Sequence, residues 1–189
     1  MTNNLLTPNT VKTLVSILVI SLLVNFYLTT KLINYENRIK HVRGKQNANF
    51  FHALNYYSND LDYFVNNNLQ HYDAIERELQ ALYAHSFNLV EHARTYVMLS
   101  NNEDSELANL IWNLAVHIQD ITHNLNQVEI KNNRNNLKEF SRTINEIVKL
   151  ENQTRIEMLR NNKGFAEKEM YIVLSPKVEK AMGLYLFNE

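Results

Sequence analysis

The segment VKTLVSILVISLLVNFYLTT, residues 11–30, dominates the organisation of this chain because it is apolar on every face of a helix. No charged side chain occurs in residues 13–30. A helix of that length crosses a hydrocarbon core of roughly 30 Å at about 1.5 Å rise per residue. Tyr27 suits the membrane interface, and Lys12 and Lys31 bracket the apolar run. The segment is therefore predicted to be a transmembrane anchor that comes after a short tail, residues 1–10.

Two other structures also begin with an apolar helix. A cleaved signal peptide has a shorter apolar region and then small residues at its cleavage site, whereas this chain continues as TTKLINYENR at residues 29–38. A buried core helix is apolar on all faces only where a domain surrounds it, and a chain of 189 residues rarely does so. Both alternatives fit less well than a single membrane span.

A basic connector, residues 31–45, comes directly after the predicted anchor. Its cations are Lys31, Arg38, Lys40, Arg43 and Lys45, against a single acid, Glu36. The positive-inside rule would place the C-terminal domain in the cytoplasm, where these cations would contact anionic lipid. Bacterial N-terminal anchors usually export the domain that they carry, and the absence of cysteine agrees weakly with export. We expect the extracytoplasmic side, with the cytoplasmic side and lipid contact as the alternative.

The composition favours long helices. The chain has only three Gly and two Pro, the residues on which the many turns of an all-β fold depend. Cysteine is absent, which excludes disulfides and thiolate metal sites. The formal net charge of −1 gives no bias toward nucleic acid. Asparagine is abundant, which we interpret as the coding bias of an AT-rich, bacterial genome.

Apolar residues recur at alternating steps of three and four through residues 46–162, the period of an amphipathic helix. The first stripe is Phe50, Leu54, Tyr57, Leu61 and Phe64. Three further stripes run through residues 72–96, 107–128 and 137–158, separated by Asn-rich breaks. Short turns between long helices predict an antiparallel, up-down bundle of about four helices, so the fold class is all-α. An extended coiled coil that dimerises is the alternative, because the same stripes fit it.

Three local features qualify this bundle. The stripe of Leu32, Tyr35, Ile39 and Val42 is out of phase with the stripe that begins at Phe50, so a kink or phase shift is expected at Gly44. Asp104 or Ser105 is expected to cap the third helix. Glu151 and Thr154 occupy core positions late in the fourth helix, where we expect the bundle to end or fray; a ligand-accepting gap and control of helix register are the alternatives.

The C-terminal segment, residues 163–189, has a different sequence pattern from the four helical stripes. Gly164 is expected to end the fourth helix. The run MYIVLS, residues 170–175, resembles a strand, and Ser175 next to Pro176 is typical of the start of a short helix. A β-hairpin and a short helix are therefore both open for this segment. The apolar run LYLF, residues 184–187, is expected to pack on the bundle rather than to remain exposed as a partner site.

Histidines on the predicted second helix suggest a metal site, but their spacing argues against one. His71, Glu78, His85 and His92 recur every seven residues along one flank, about 10 Å per step, so they cannot share one zinc ion with ligands at about 2.0–2.2 Å. In a second set, His117, Asp120 and His123, neighbouring residues could share an ion, but His123 points toward the outer face. We expect no metal and no other cofactor. Since histidine changes charge between about pH 5 and 8, His71, His85 and His92 form a candidate pH-responsive flank, with solvated histidines as the simpler explanation.

Catalytic motifs are missing from the sequence. It has no cysteine nucleophile, no GxSxG elbow and too few glycines for a phosphate-binding loop. We expect no enzymatic activity. The single tryptophan, Trp112, lies beside the third stripe and is a candidate partner contact if it is exposed; burial under the C-terminal segment is the alternative.

The sequence thus predicts a single-pass membrane protein whose helical bundle acts as a non-enzymatic scaffold or assembly component of a bacterial cell envelope. It is expected to bind a protein partner or a second copy of itself, and not nucleic acid. The alternative is a ligand-binding or pH-sensing bundle that acts through a partner membrane protein, because the chain has one predicted span and no signalling output.

Overall fold

The computed structural model describes residues 8–66, 72–100, 105–126, 132–161 and 165–184. All regular secondary structure in these residues is α-helical. The helices are α1 (Pro8–Asn66), α2 (Tyr72–Leu99), α3 (Glu106–Asn124), α4 (Arg134–Arg160) and α5 (Glu167–Met182). The chain divides into two compact units, Met1–Lys40 and His41–Glu189, which we call the anchor unit and the bundle unit.

The described residues of the anchor unit form the first part of α1. The described side chains of residues 12–38 are all exposed. Their most apolar stretch has a mean hydropathy of 1.9, and α1 is the one helix among the described residues that is long and apolar enough to cross a membrane. Thr13 and Thr30 donate their hydroxyls to the carbonyls of Asn9 and Phe26, at 3.0 and 2.8 Å. Those hydroxyls are therefore satisfied within the helix itself.

The bundle unit begins with the second part of α1, which is antiparallel to α2 and to α4. Arg43, early in this part, donates Nε to the carbonyl of Leu99 at the end of α2, at 2.8 Å. At the other end of α1, Arg134 at the start of α4 donates to the carbonyl of Val65 at 3.0 Å. Contacts at the two ends of this part of α1 thus fix the directions of both neighbouring helices.

The remaining helices continue the alternation. Helix α2 packs against α3, and α5 packs against both α3 and α4. Lys177 and Lys180 of α5 pair with Glu146 and Glu139 of α4, so later residues of α5 meet earlier residues of α4 and the two helices are antiparallel. Helix α5 therefore lies beside α3 and α4 and completes a bundle of alternating helices.

The core confirms the predicted stripes. All five residues of the first stripe are buried, and so are the described core positions of α3 and α4 that the spacing predicts. Ser105 caps α3 as expected, since its hydroxyl accepts a bond from the amide of Ala108 at 3.3 Å. Glu151 and Thr154 are buried, and α4 continues to Arg160, so the bundle does not fray at those residues.

The prediction of a strand at residues 170–175 is wrong, because these residues lie within α5. The buried side chains of α5 are Met170, Leu174, Val178 and Ala181, spaced as one face of a helix. Burial of that face against α3 and α4 outweighs the strand preference of the short apolar run. Pro176 lies inside α5 and does not start a helix. The described residues therefore form five helices instead of about four.

Two other predictions concern glycines and the tail. Helix α1 continues through Gly44, the position at which a kink or phase shift is expected. A Cβ at Gly44 would lie 3.2 Å from the Cβ of Phe165, which shows that this position allows the residues before α5 to approach α1 closely. Gly164 and the end of the LYLF run lie outside the described residues. Leu184 is half-buried and packs against the core.

Candidate functional site

One polar cluster joins four helices at one end of the bundle unit. Its centre is Glu167 at the start of α5, which pairs with Arg43 of α1 at 3.5 Å. The Tyr96 hydroxyl donates to Glu167 Oε1 at 3.1 Å, and the Ser105 hydroxyl donates to Oε2 at 3.4 Å. Arg43 also bonds the end of α2 through the Leu99 carbonyl. We call Arg43, Tyr96, Ser105 and Glu167 the end cluster.

The end cluster borders an open cavity of about 400 Å³. The residues lining it are Arg43, Ser100, Ser105, Glu106, Leu107, Glu167, Lys168 and Tyr171. Burial raises the pKa of Tyr96, and the neighbouring Glu167 carboxylate raises it further. Tyr96 therefore keeps its proton and acts as a hydrogen-bond donor. The arrangement is suited to holding four helices together, and its carboxylate already has three partners.

A second polar site lies between α1 and α4 and centres on the Glu151 carboxyl. Glu151 is 1% exposed. Asn47, which is fully buried, donates Nδ2 to Glu151 Oε1 at 3.3 Å. Arg155 places Nε 3.3 Å from the same oxygen, but that N–H is not aimed for a hydrogen bond. The site opens into a cleft of about 110 Å³ that His52 and Asn152 also line.

Burial raises the pKa of Glu151 to about 7, although the nearby Arg155 charge acts in the opposite direction. The carboxyl therefore changes charge near neutral pH while packed inside the bundle. The Asn47 Oδ1 atom is buried with no hydrogen-bond partner. A group that donates a hydrogen bond would satisfy it, and protonated Glu151, whose carboxyl already bonds the Asn47 amide, is a candidate. The chemistry available here is a proton equilibrium inside a helix interface.

The histidine flank predicted on α2 is only partly described. His71 lies outside the described residues. His85 is half-buried, places Nε2 3.0 Å from the Asp60 carboxylate of α1 and stacks on Tyr56 at 6.1 Å between ring centroids. His92 lies two turns further along α2 and is half-buried. The structure thus joins His85 to α1 and does not bring it together with His92. Among the described residues, no group of three or more His, Asp or Glu is placed to hold a metal ion.

The predicted contact residues are distributed over both units. The Trp112 side chain is 36% exposed on α3, so part of its indole faces solvent. Arg43 is only 18% exposed and is bound within the end cluster, which removes it from the cations available to lipid. The other four cations of the connector are exposed: Lys31, Arg38, Lys40 and Lys45.

Both polar sites were missed by sequence reasoning as functional sites, for different reasons. The sequence contains a sign of the Glu151 site, because Glu151 interrupts an apolar stripe at a core position. Nothing in the sequence indicates the pairing of Arg43 with Glu167, because the two residues lie far apart in the chain and each resembles an ordinary surface charge. No protein-family model matches this chain, and neither the curated proteins nor the solved structures include a significantly similar one.

Proposed function

We propose that this chain is a single-pass membrane protein whose helical bundle serves as a non-enzymatic scaffold or assembly component of a bacterial cell envelope. The observation that carries the proposal is the exposed apolar surface of residues 13–30 in the anchor unit. Large apolar side chains in contiguous exposed patches mark surfaces that bind a membrane or another protein.

The length of the apolar segment favours a membrane over water as its environment. Residues 13–30 carry eleven Leu, Ile, Val and Phe side chains, each about half exposed or more. At about 0.3–0.6 kcal/mol favourable for each such residue, membrane insertion gains roughly 3–7 kcal/mol from them. In water the same surface would instead promote aggregation. The four exposed connector cations fit the adjoining headgroup layer.

The surface of the bundle unit supports a role in protein contacts. Phe87 and Met98 are exposed by 57% and 65% and lie eleven residues apart, on the same face of α2. Trp112 adds an exposed indole on the adjacent helix. Aromatic side chains are frequent among the residues that dominate binding energy at interfaces. We propose that Phe87, Met98 and Trp112 contact a protein partner on the extracytoplasmic side.

Photo-crosslinking in intact cells tests this contact. A photoreactive residue at position 87 or 112 should yield the same discrete adduct from the membrane fraction, whereas one at Lys149, which is exposed on α4, should not. Trp112→Ala should reduce recovery of that adduct from position 87 while the helix content stays constant. Equal adducts at all three positions, or none at any, would argue against a contact surface on α2 and α3.

A pH-sensing bundle that acts through a partner membrane protein is the second candidate, and Glu151 favours it. This carboxyl is buried between α1 and α4, and its pKa is raised to about 7. A group that titrates there changes the stability of the α1–α4 interface across the physiological pH range. If this second function holds, Glu151→Gln should abolish a pH dependence of partner crosslinking at position 112.

A further inference from the structure

The anchor unit carries a second pattern, finer than its general apolarity. Along one face of α1, residues recur at alternating steps of three and four: Leu18, Ser21, Asn25, Leu28, Leu32 and Tyr35. This is the seven-residue repeat of a left-handed coiled coil, in which alternating core positions face a partner helix. The apolar members of the stripe are all more than half exposed. The face therefore has the spacing of a helix–helix interface and is uncovered in the anchor unit.

Asn25 is the one amide in the apolar segment, residues 13–30, and it differs from Thr13 and Thr30. The hydroxyls of Thr13 and Thr30 are bonded to carbonyls of their own helix. The Asn25 amide has no hydrogen bond to any described part of the chain. A polar group without a partner is costly in hydrocarbon, so Asn25 needs a partner from another helix. An amide both donates and accepts, so two Asn25 side chains facing each other across a two-fold axis satisfy one another.

The charges beside the stripe also select a second copy as the partner. Lys31 and Glu36 flank the stripe on opposite sides and lie five residues apart. In a parallel coiled coil, residues with that spacing face each other across the interface. Lys31 of one copy therefore meets Glu36 of the other, twice in each pair. Two copies of one anchor enter the membrane in the same orientation, so their helices are necessarily parallel.

We infer that two copies of this chain associate in parallel through the stripe from Leu18 to Tyr35, with their Asn25 amides bonded to each other and Lys31 of each copy paired with Glu36 of the other. The inference rests on the proposed membrane anchoring and names the partner of the anchor. A buried asparagine at such a position fixes register and favours two strands over three. A strict seven-residue repeat drifts by about 20° per heptad on a straight helix, so the two helices wind into a left-handed supercoil.

Cysteine crosslinking tests the face directly, because the natural chain has no cysteine. Full-length single variants Leu18→Cys, Leu28→Cys and Leu32→Cys, oxidised in native membranes, should form disulfide dimers. The matched controls Leu23→Cys and Ile33→Cys lie on the same helix, away from the stripe. We expect several-fold more dimer from the stripe positions. Equal yields at all positions, or yields that peak at the controls, would overturn the inference.

Two further sets of variants test the chemistry. Asn25→Val should weaken dimerisation about tenfold, since an interhelical polar contact in a membrane contributes about 1–2 kcal/mol in model peptides and each ~1.4 kcal/mol corresponds to a factor of ten. Leu23→Val is the control and should change little. Lys31→Glu should reduce dimer yield at Leu32→Cys, and adding Glu36→Lys should restore it. Failure of the double exchange to restore the yield would exclude the proposed pairing.

The same membrane samples separate this inference from the proposed function. A chain that leaves the membrane pellet during alkaline extraction would remove the anchoring on which both depend. A chain that stays in the pellet, but dimerises no better through the stripe than through the control face, would keep the anchor and reject the pairing.

Discussion

Substitution of Glu151 by Gln should remove most of the pH dependence that this carboxyl gives to the bundle. Burial raises the pKa of folded Glu151 to about 7, from an ordinary value of 4.5. In the unfolded chain the carboxyl loses its proton near 4.5, whereas in the folded chain it keeps it to about 7. Between these values the folded state binds more protons, so the free energy of unfolding falls as pH rises.

The magnitude comes from the two pKa values. At ~1.36 kcal/mol for each factor of ten, the full difference corresponds to about 3 kcal/mol, most of which is lost between pH 5 and 8. The Glu151 side chain is only 2% exposed, so solvent screens its charge little. Glu151→Gln keeps an oxygen that accepts from Asn47 and adds a donor for the unpartnered Asn47 Oδ1. The variant should therefore be more stable than the natural chain by about 3 kcal/mol at pH 8 and by only about 1 kcal/mol at pH 5.

Urea unfolding of the full chain in a non-ionic detergent, monitored by circular dichroism at several pH values, measures this difference. Glu157→Gln is the matched control, because Glu157 is exposed on the same helix and its substitution should leave the pH profile unchanged. The decisive quantity is the difference between variant and natural chain, which cancels the titration of all other groups. A difference that stays constant from pH 5 to 8, or that shrinks as pH rises, would refute the reasoning.

Three core substitutions test the packing of the bundle unit by the same unfolding assay. Gly44→Val should destabilise the fold by about 1–3 kcal/mol, because its Cβ would lie 3.2 Å from the Phe165 Cβ, and most of that cost should disappear in a Phe165→Ala background. Tyr57→Phe should cost about 1 kcal/mol, because it removes the 2.9 Å hydrogen bond between Tyr57 and Thr122; an unchanged midpoint would show that this bond is unimportant. Leu54→Ala, at a fully buried position, should cost about 2–5 kcal/mol.

Much of the bundle could be predicted from periodicity alone. The stripe of α4 is buried from Leu137 to Met158. This includes Glu151, which its hydropathy alone would place at the surface. The prediction succeeds because a long amphipathic helix has many apolar residues on one face, so a single polar residue in that stripe does not change the assignment. The cap at Ser105 is equally local, since it depends only on the residues next to it in the chain.

Helix α5 shows where such reasoning fails. Its apolar run contains aromatic and β-branched residues that fit a strand. The run is too short to distinguish the alternating pattern of a strand from the pattern of an amphipathic helix. Contacts with α3 and α4 decide in favour of the helix, and a sequence alone does not contain them. The end cluster is unpredictable for the same reason. Glu167 meets Arg43 only because α1, α2, α3 and α5 bring their ends together.

Flotation and alkaline extraction of the full chain, with a chain of residues 41–189 as the comparison, test the membrane anchoring most directly. Residues 13–30 should hold the full chain in the lipid layer of a density gradient and in the pellet at high pH, whereas residues 41–189 should stay soluble. Full-length protein recovered in the soluble fraction without detergent would contradict the account.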